Sequence, residues 1–234
     1  VWAAVVQAQP PTPEEAAAAL RRAVHFYCTQ VAACGGYVYR YSGDLTLREG
    51  EGQATETMAW VQPPGTPAVG ETFLDAYEAT GDALHLSAAL AAGDALIRGQ
   101  LRSGGWDHFM EFDESKRARY AYRDQPVRKK QEGRTSLDDD ISQSAARFLC
   151  RLDGALGFRV AKVHEAALLG LEAMLRAQYP NGGWYQWWDE YPQPTTEVDF
   201  PILRASYPET WSRVWLNDWP ARYFINDRVP CNMI

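Results

Sequence analysis

The chain has 234 residues, 46% of them apolar and 23% charged, and a formal charge of −7. That length suits one large domain or two small ones, and the apolar share excludes a disordered chain. The negative balance argues against non-specific nucleic-acid binding, and a polyanionic ligand would need a local basic patch or a bridging cation.

Residues 1–11 read as an apolar remnant and linker. Val1 to Ala8 is either a random apolar terminus or the tail of a secretory signal peptide, with small residues at positions 6 and 8. The second reading places the protein outside the cytoplasm, secreted or periplasmic. The last residues, Cys231-Asn232-Met233-Ile234, read as the first turns of an apolar helix, so both ends look cut. No run is long enough to span a membrane. Cys28, Cys34, Cys150 and Cys231 are scattered, without disulfide-scaffold density or zinc-site spacing. Cys28 and Cys150 fall on apolar helix faces, as buried thiols do.

The first predicted helix starts at Thr12, with Pro13 at the first helical position and Glu15 completing a capping box, and runs to about Gln30. Alternation in Tyr37-Val38-Tyr39-Arg40-Tyr41 predicts a short strand or extended loop, and residues 42–64 read as a long polar loop. Thr66-Pro67 repeats the cap-plus-proline start, with Val69, Phe73, Ala76 and Tyr77 as the apolar stripe. A helix over 84–100 follows, with Leu86, Ala89, Leu90, Gly93 and Ile97 on one face. A second hairpin is predicted over 139–156 and 160–178. Its stripes are Ile141, Ala145, Phe148, Leu149 and Leu152, then Ala167, Leu171, Met174 and Leu175.

Each hairpin empties into the same device. Gln100-Leu101-Arg102-Ser103-Gly104-Gly105-Trp106 and Gln178-Tyr179-Pro180-Asn181-Gly182-Gly183-Trp184 lie 78 residues apart with identical Gln-to-Gly spacing. A looser copy is Gln30 to Tyr37. Such repeats predict stacked helical hairpins, an all-α incomplete toroid with long loops gathered at one end, within a single domain over 12–234. Gly-Gly lets the backbone turn tightly and fixes the ring that follows. Trp106 and Trp184 either plug their turns as core or, as nine tryptophans with several on predicted loops suggest, stack on sugars as candidate subsite rings.

Between Ser115 and Arg134 eight basic residues face two acidic ones. This is either a solvated loop or an anion-facing insertion in which Lys130 and Arg134 would hold substrate carboxylates. Asp138-Asp139-Asp140 follows at a predicted helix start. The helix dipole favours one or two of these carboxylates; a third adds repulsion, which a hard cation such as calcium relieves. Asn226-Asp227 is a second oxygen-rich point.

These segments resemble the family 10 pectate lyases: Leu137-Asp138-Asp139-Asp140 before Ala146-Arg147-Phe148-Leu149, then Ala177 to Trp184, then Phe224-Ile225-Asn226-Asp227. The resemblance is best over 135–234. It implies an α/α toroid and calcium-dependent β-elimination on polygalacturonate, with Asp138 near the reacting sugar and Asp138 and Asp227 holding calcium. Asp139 or Asp140 would assist, Gln186 and Asn226 would join the subsites, and the family's catalytic arginine would lie downstream of residue 234. The expected protein is a monomer taking an acidic polysaccharide, with neither nucleic acid nor membrane as partner. A glycoside hydrolase on a similar toroid, a non-catalytic polysaccharide-binding protein and a purely structural helical-repeat scaffold are the alternatives.

Overall fold

The computed structural model describes residues 10–202, 210 and 232–233. Its first helix, α1 (Pro13–Phe26), starts on the predicted capping box: the Thr12 hydroxyl accepts from the Glu15 N–H (3.2 Å) while the Glu15 carboxylate accepts from the Thr12 N–H (2.8 Å). It runs into a π-helical turn, Tyr27–Val31, closed by the Ala32 N–H on the Tyr27 carbonyl (3.0 Å).

The predicted loop after Tyr41 carries short strands. β1 (Arg40–Tyr41) pairs with β2 (Arg48–Glu49), and β3 (Met58–Trp60) pairs with β4 (Phe109–Glu111), both antiparallel. The two main hairpins are α2 (Thr66–Thr80) with α3 (Ala83–Gly99), and α5 (Ile141–Ala155) with α6 (Ala161–Arg176). A single turn, α4 (Glu114–Arg117), lies between them, and β5 (Thr135–Ser136) pairs with β6 (Trp187–Trp188). The described chain is therefore mostly helical. Among the described residues no helix is long and apolar enough to cross a membrane.

Two sequence expectations shift in detail. Gly65, not Thr66, is the N-cap of α2; Thr66 is buried, and its hydroxyl accepts from the Tyr37 N–H (3.0 Å). The buried stripe of α6 is Val163, Ala166, Ala167, Gly170, Ala173 and Met174, while Leu171 and Leu175 are exposed. Small residues face the core because the helices approach closely. Leu171 and Leu175 instead line a groove of about 550 Å³ with Ala146, Cys150 and Met233. Cys28 and Cys150 are only half-buried.

The hairpins pack through glycine. A Cβ on Gly70 of α2 would lie 2.3 Å from the Phe148 ring of α5, and one on Gly93 of α3 would lie 2.4 Å from Leu152. Phe148 and Leu152 are fully buried, so neither can swing away. Across the same seam Arg151 of α5 pairs with Glu71, Asp75 and Glu78 of α2. Gly70→Ala should therefore destabilise by about 1–3 kcal/mol from overpacking, despite alanine's better helix propensity. Phe148→Leu in the same chain should recover part of the loss, as read from urea midpoints.

Candidate functional site

The Gly-Gly-Trp turns superimpose bond for bond. In the first, the Leu101 N–H donates to Gly105 O (2.9 Å), the Gly104 N–H to Leu101 O (3.0 Å) and the Gln100 amide to Gly104 O (2.9 Å). In the second, the Tyr179 N–H donates to Gly183 O (2.9 Å), the Gly182 N–H to Tyr179 O (2.8 Å) and the Gln178 amide to Gly182 O (3.0 Å). Gly104 and Gly182 sit at φ 101° and 85°, where a side chain would be strained. Each indole N–H then reaches back to its own helix, Trp106 to Leu96 O and Trp184 to Met174 O, both at 2.8 Å. The looser copy keeps Gly35 at φ 85° and a buried Tyr37, but the Gln30 amide bonds to Thr29 rather than clamping the turn.

This geometry corrects the expectation that Trp106 and Trp184 line sugar subsites. Trp106 is 0% exposed and Trp184 8%, because each ring plugs its hairpin. Trp184 reaches only the groove between α5 and α6.

What the turns do is fix their exits. Thr135 accepts from the Gly105 N–H (2.9 Å), and Ser136 donates its N–H to Trp106 O (2.9 Å). The Leu137 N–H donates to Gln186 O (2.8 Å), and the Trp188 indole donates to Ser103 O (2.9 Å). Thus β5 is stitched between the two repeats, and Gln186 contributes through its backbone. On the other side the Val61 N–H donates to His108 O (2.8 Å).

One rim results. Asp107 accepts from the His108 backbone N–H and faces its Nδ1, both at 2.8 Å, while its second oxygen accepts from the Arg134 N–H (3.1 Å). The Arg134 guanidinium stacks 3.9 Å from the Trp187 ring centre. Trp187 in turn lines a groove of about 380 Å³ with Tyr185, Trp188 and Tyr191. The buried Gln62 donates from one amide nitrogen to both Glu51 (3.0 Å) and Asp139 (2.8 Å).

The acidic run is not the helix cap the sequence suggests. Asp138–Asp140 forms a kinked 3-10 turn with Asp139 and Asp140 at φ 44° and 62°, and Asp140 makes no side-chain cap bond. Left-handed backbone at non-glycine residues costs roughly 1–2 kcal/mol each. Asp140 is committed to Arg147, which also donates to Asn232 O (3.0 Å). Asp138 and Asp139 face the rim. Among the described residues no group of three or more His, Cys, Asp or Glu side chains could hold a metal ion. Asn226 and Asp227 lie outside the described residues.

The basic insertion is largely spent on structure. Arg117 is fully buried, bonded to Glu111 O, Arg98 O and Asp124, with its guanidinium over Tyr122. Arg119 pairs with Glu132. Lys130 is exposed and makes no hydrogen bond or ion pair among the described residues, so Arg134 is the basic side chain tied to the rim.

Sequence reasoning missed Glu51, Gln62, Asp107 and His108. The first two carry no signal within a polar loop. Asp107-His108, directly after a Gly-Gly-Trp, was there to be read.

Electrostatics single out that pair. The hydrogen bond to Asp107 raises the His108 pKa against burial, and the charges of Asp107, Glu51 and Asp138 add to it. Burial pushes Asp107 up, but its bonds from His108 and Arg134 outweigh this and hold it below the usual range. The pair therefore stabilises most where both are charged. Its contribution is lost as pH falls through the depressed Asp107 pKa, and again as pH rises through the raised His108 pKa. Both side chains are about a third exposed, so the effect should be at most about 1 kcal/mol. Wild type and Asp107→Asn should differ more in unfolding free energy near pH 6 than near pH 9.

No family model matches the chain, and no curated protein matches it. Among solved structures it is similar to a point mutant of a family 10 polysaccharide lyase from Cellvibrio cellulosa in complex with trigalacturonic acid. The two share 16% identity at a TM-score of 0.44, over 70% of this chain and 50% of that one. A second structure of a family 10 polysaccharide lyase from Cellvibrio cellulosa shares 15% identity at 0.42, over 76% and 56%. The chain thus spans about half the length of the structures it resembles.

Proposed function

We propose that this chain acts on an acidic polysaccharide, polygalacturonate or a related uronan, and cleaves it by β-elimination with the help of calcium, on an α/α toroid to which the two described hairpins belong. The observation that carries the reading is the Arg134 guanidinium stacked on Trp187 beside Asp107, His108 and Asp138. A flat ring takes the apolar face of a sugar, and a fixed guanidinium takes its carboxylate. Neutralising that carboxylate makes the adjacent C5 proton easier to remove. Calcium belongs to the proposal through Asp138 and Asp139, with Asp227 as the expected further ligand.

A second reading has its own observation. Glu51 and Asp139 share one Gln62 amide nitrogen, and two neighbouring carboxylates are the equipment of a glycoside hydrolase.

One assay separates them. With polygalacturonate and calcium, the protein should generate product carrying the ultraviolet absorbance of an unsaturated uronate, and a chelator should abolish it. Arg134→Ala should weaken substrate binding about tenfold with an unchanged thermal midpoint. New reducing ends without unsaturation, indifferent to chelator, would select the hydrolase. Saturable glycan binding without turnover would make the protein a binding module.

A further inference from the structure

We propose that the aromatic groove beside Arg134 is a subsite for an uncharged sugar, so that the preferred glycan carries a neutral unit next to the uronate that Arg134 receives. A methyl-esterified uronate and a neutral sugar both meet that description. The inference rests on the acidic-glycan reading and deepens it, from the class of the glycan to the charge pattern along it.

The groove is built from rings that are held in place. Trp188 is buried and pinned by its indole N–H to Ser103 O (2.9 Å). Tyr185 packs edge-on against it, with ring centres 5.7 Å apart. Tyr191 lies against the first repeat, where a Cβ on Gly104 would come within 3.5 Å of its ring. Trp187 joins the groove to the rim, because it lines the one and carries the Arg134 guanidinium 3.9 Å from its ring centre on the other. At about 380 Å³ the space falls within the range of small-molecule sites, roughly 300–1,000 Å³. Rings already locked by packing offer a flat apolar surface to the C–H face of a sugar, with little side-chain order left to lose on binding.

Charge sets what enters. Asp189 and Glu190 line the groove, and among the described residues neither makes a hydrogen bond or an ion pair. Among those residues no basic side chain lines it. Arg176 is the cation nearest its Tyr191 end, 5.7 Å from that ring centre, and its charge is met by Glu172 at 2.8 Å. An ionised uronate in the groove would face two carboxylates with no free cation to offset them; a neutral ring would not. Hydrogen-bond donors remain available. Burial first, then the charge of Asp189, raises the Tyr185 pKa, so its hydroxyl stays protonated and can donate to a sugar oxygen. Arg134 thus takes one carboxylate, and the groove that shares Trp187 with it refuses the next.

The test measures binding at saturating calcium, so that a cation bridging the groove's carboxylates to an ionised unit would show as the opposite preference. The probes are trigalacturonic acid, its two terminal mono-methyl esters, and the same trimer with a neutral sugar in place of one terminal uronate. One mono-ester should bind about tenfold tighter than the unesterified trimer, the scale of relieving two exposed like-charge contacts. Equal binding of the neutral-sugar trimer extends the subsite to any neutral unit; weaker binding of it assigns the subsite to the ester. Asp189→Asn combined with Glu190→Gln should raise the unesterified trimer to the level of that mono-ester, with the thermal midpoint unchanged. In saturation-transfer NMR, irradiating the aromatic protons should mark the ring protons of the esterified unit. Binding of both mono-esters no tighter than the trimer, a preference that survives in the double variant, or saturation confined to the ionised units overturns the neutral subsite and leaves the acidic-glycan reading standing. No binding of any probe overturns both.

Discussion

Each Gly-Gly-Trp turn is a closed unit in which a glutamine amide holds the glycine carbonyl and an indole holds the helix ten residues behind it. The constraint works because it is local at one end and buried at the other. A fully buried tryptophan removes some 150–250 Å² from water, so the plug alone outweighs the few kcal/mol of backbone order the turn requires. The exit of each hairpin is thereby fixed relative to its own second helix. Two exits fixed this way can share one strand, and β5 is that strand: it takes backbone and side-chain bonds from the first turn on one edge and pairs with β6 on the other. The rim is a consequence. Asp107, Arg134, Asp138 and Trp187 are distant in sequence but lie within a few residues of these tied backbones.

The same logic explains how an acidic chain uses its basic segment. Burying Arg117 requires that its charge be met, and two backbone carbonyls and Asp124 meet it, with Tyr122 beneath the guanidinium. That knot holds the insertion against Glu111 and Arg98, at the ends of β4 and α3. Removing one partner would leave a buried charge, which is far more costly than losing an exposed pair. The insertion is a strut, and Arg134, stacked on Trp187, is the end of it that reaches the rim.

Helix positions were legible because their signals are local: the Thr12 capping box and the stripe Ile141, Ala145, Phe148, Leu149 and Leu152 are as the sequence implies. The repeat was legible too, down to the glutamine spacing, whose purpose is now clear. What failed was the fate of individual side chains. Whether a tryptophan after Gly-Gly faces sugar or core depends on the curvature of the turn, and the left-handed glycines point it inward. The stripe of α6 was misread because leucine was weighted above alanine and glycine, whereas close packing puts the smallest residues at the seam. Tightly paired Asp139 and Gln62 are 77 residues apart, and nothing in either segment announces the other.

Charge decides what this rim can accept. Glu51, Asp107 and Asp138 act on the His108 imidazole and Asp139 shares the Gln62 amide with Glu51, and a like charge about 4 Å away costs on the order of 4 kcal/mol at the effective dielectric of a protein surface. A uronate approaching that cluster unaided would be turned away. Asp107 is partly neutralised by His108, and Asp139 is held by Gln62, whose amide is a dipole and not a charge. Arg134 is therefore the fixed cation on the approach, and its stacking on Trp187 keeps it from collapsing onto the acids beside it. An acidic sugar binds here only if Arg134 and a bound divalent ion together outweigh the carboxylates. Under the proposed reading, the rim would take a uronan when the ion is present and a neutral glycan when it is not.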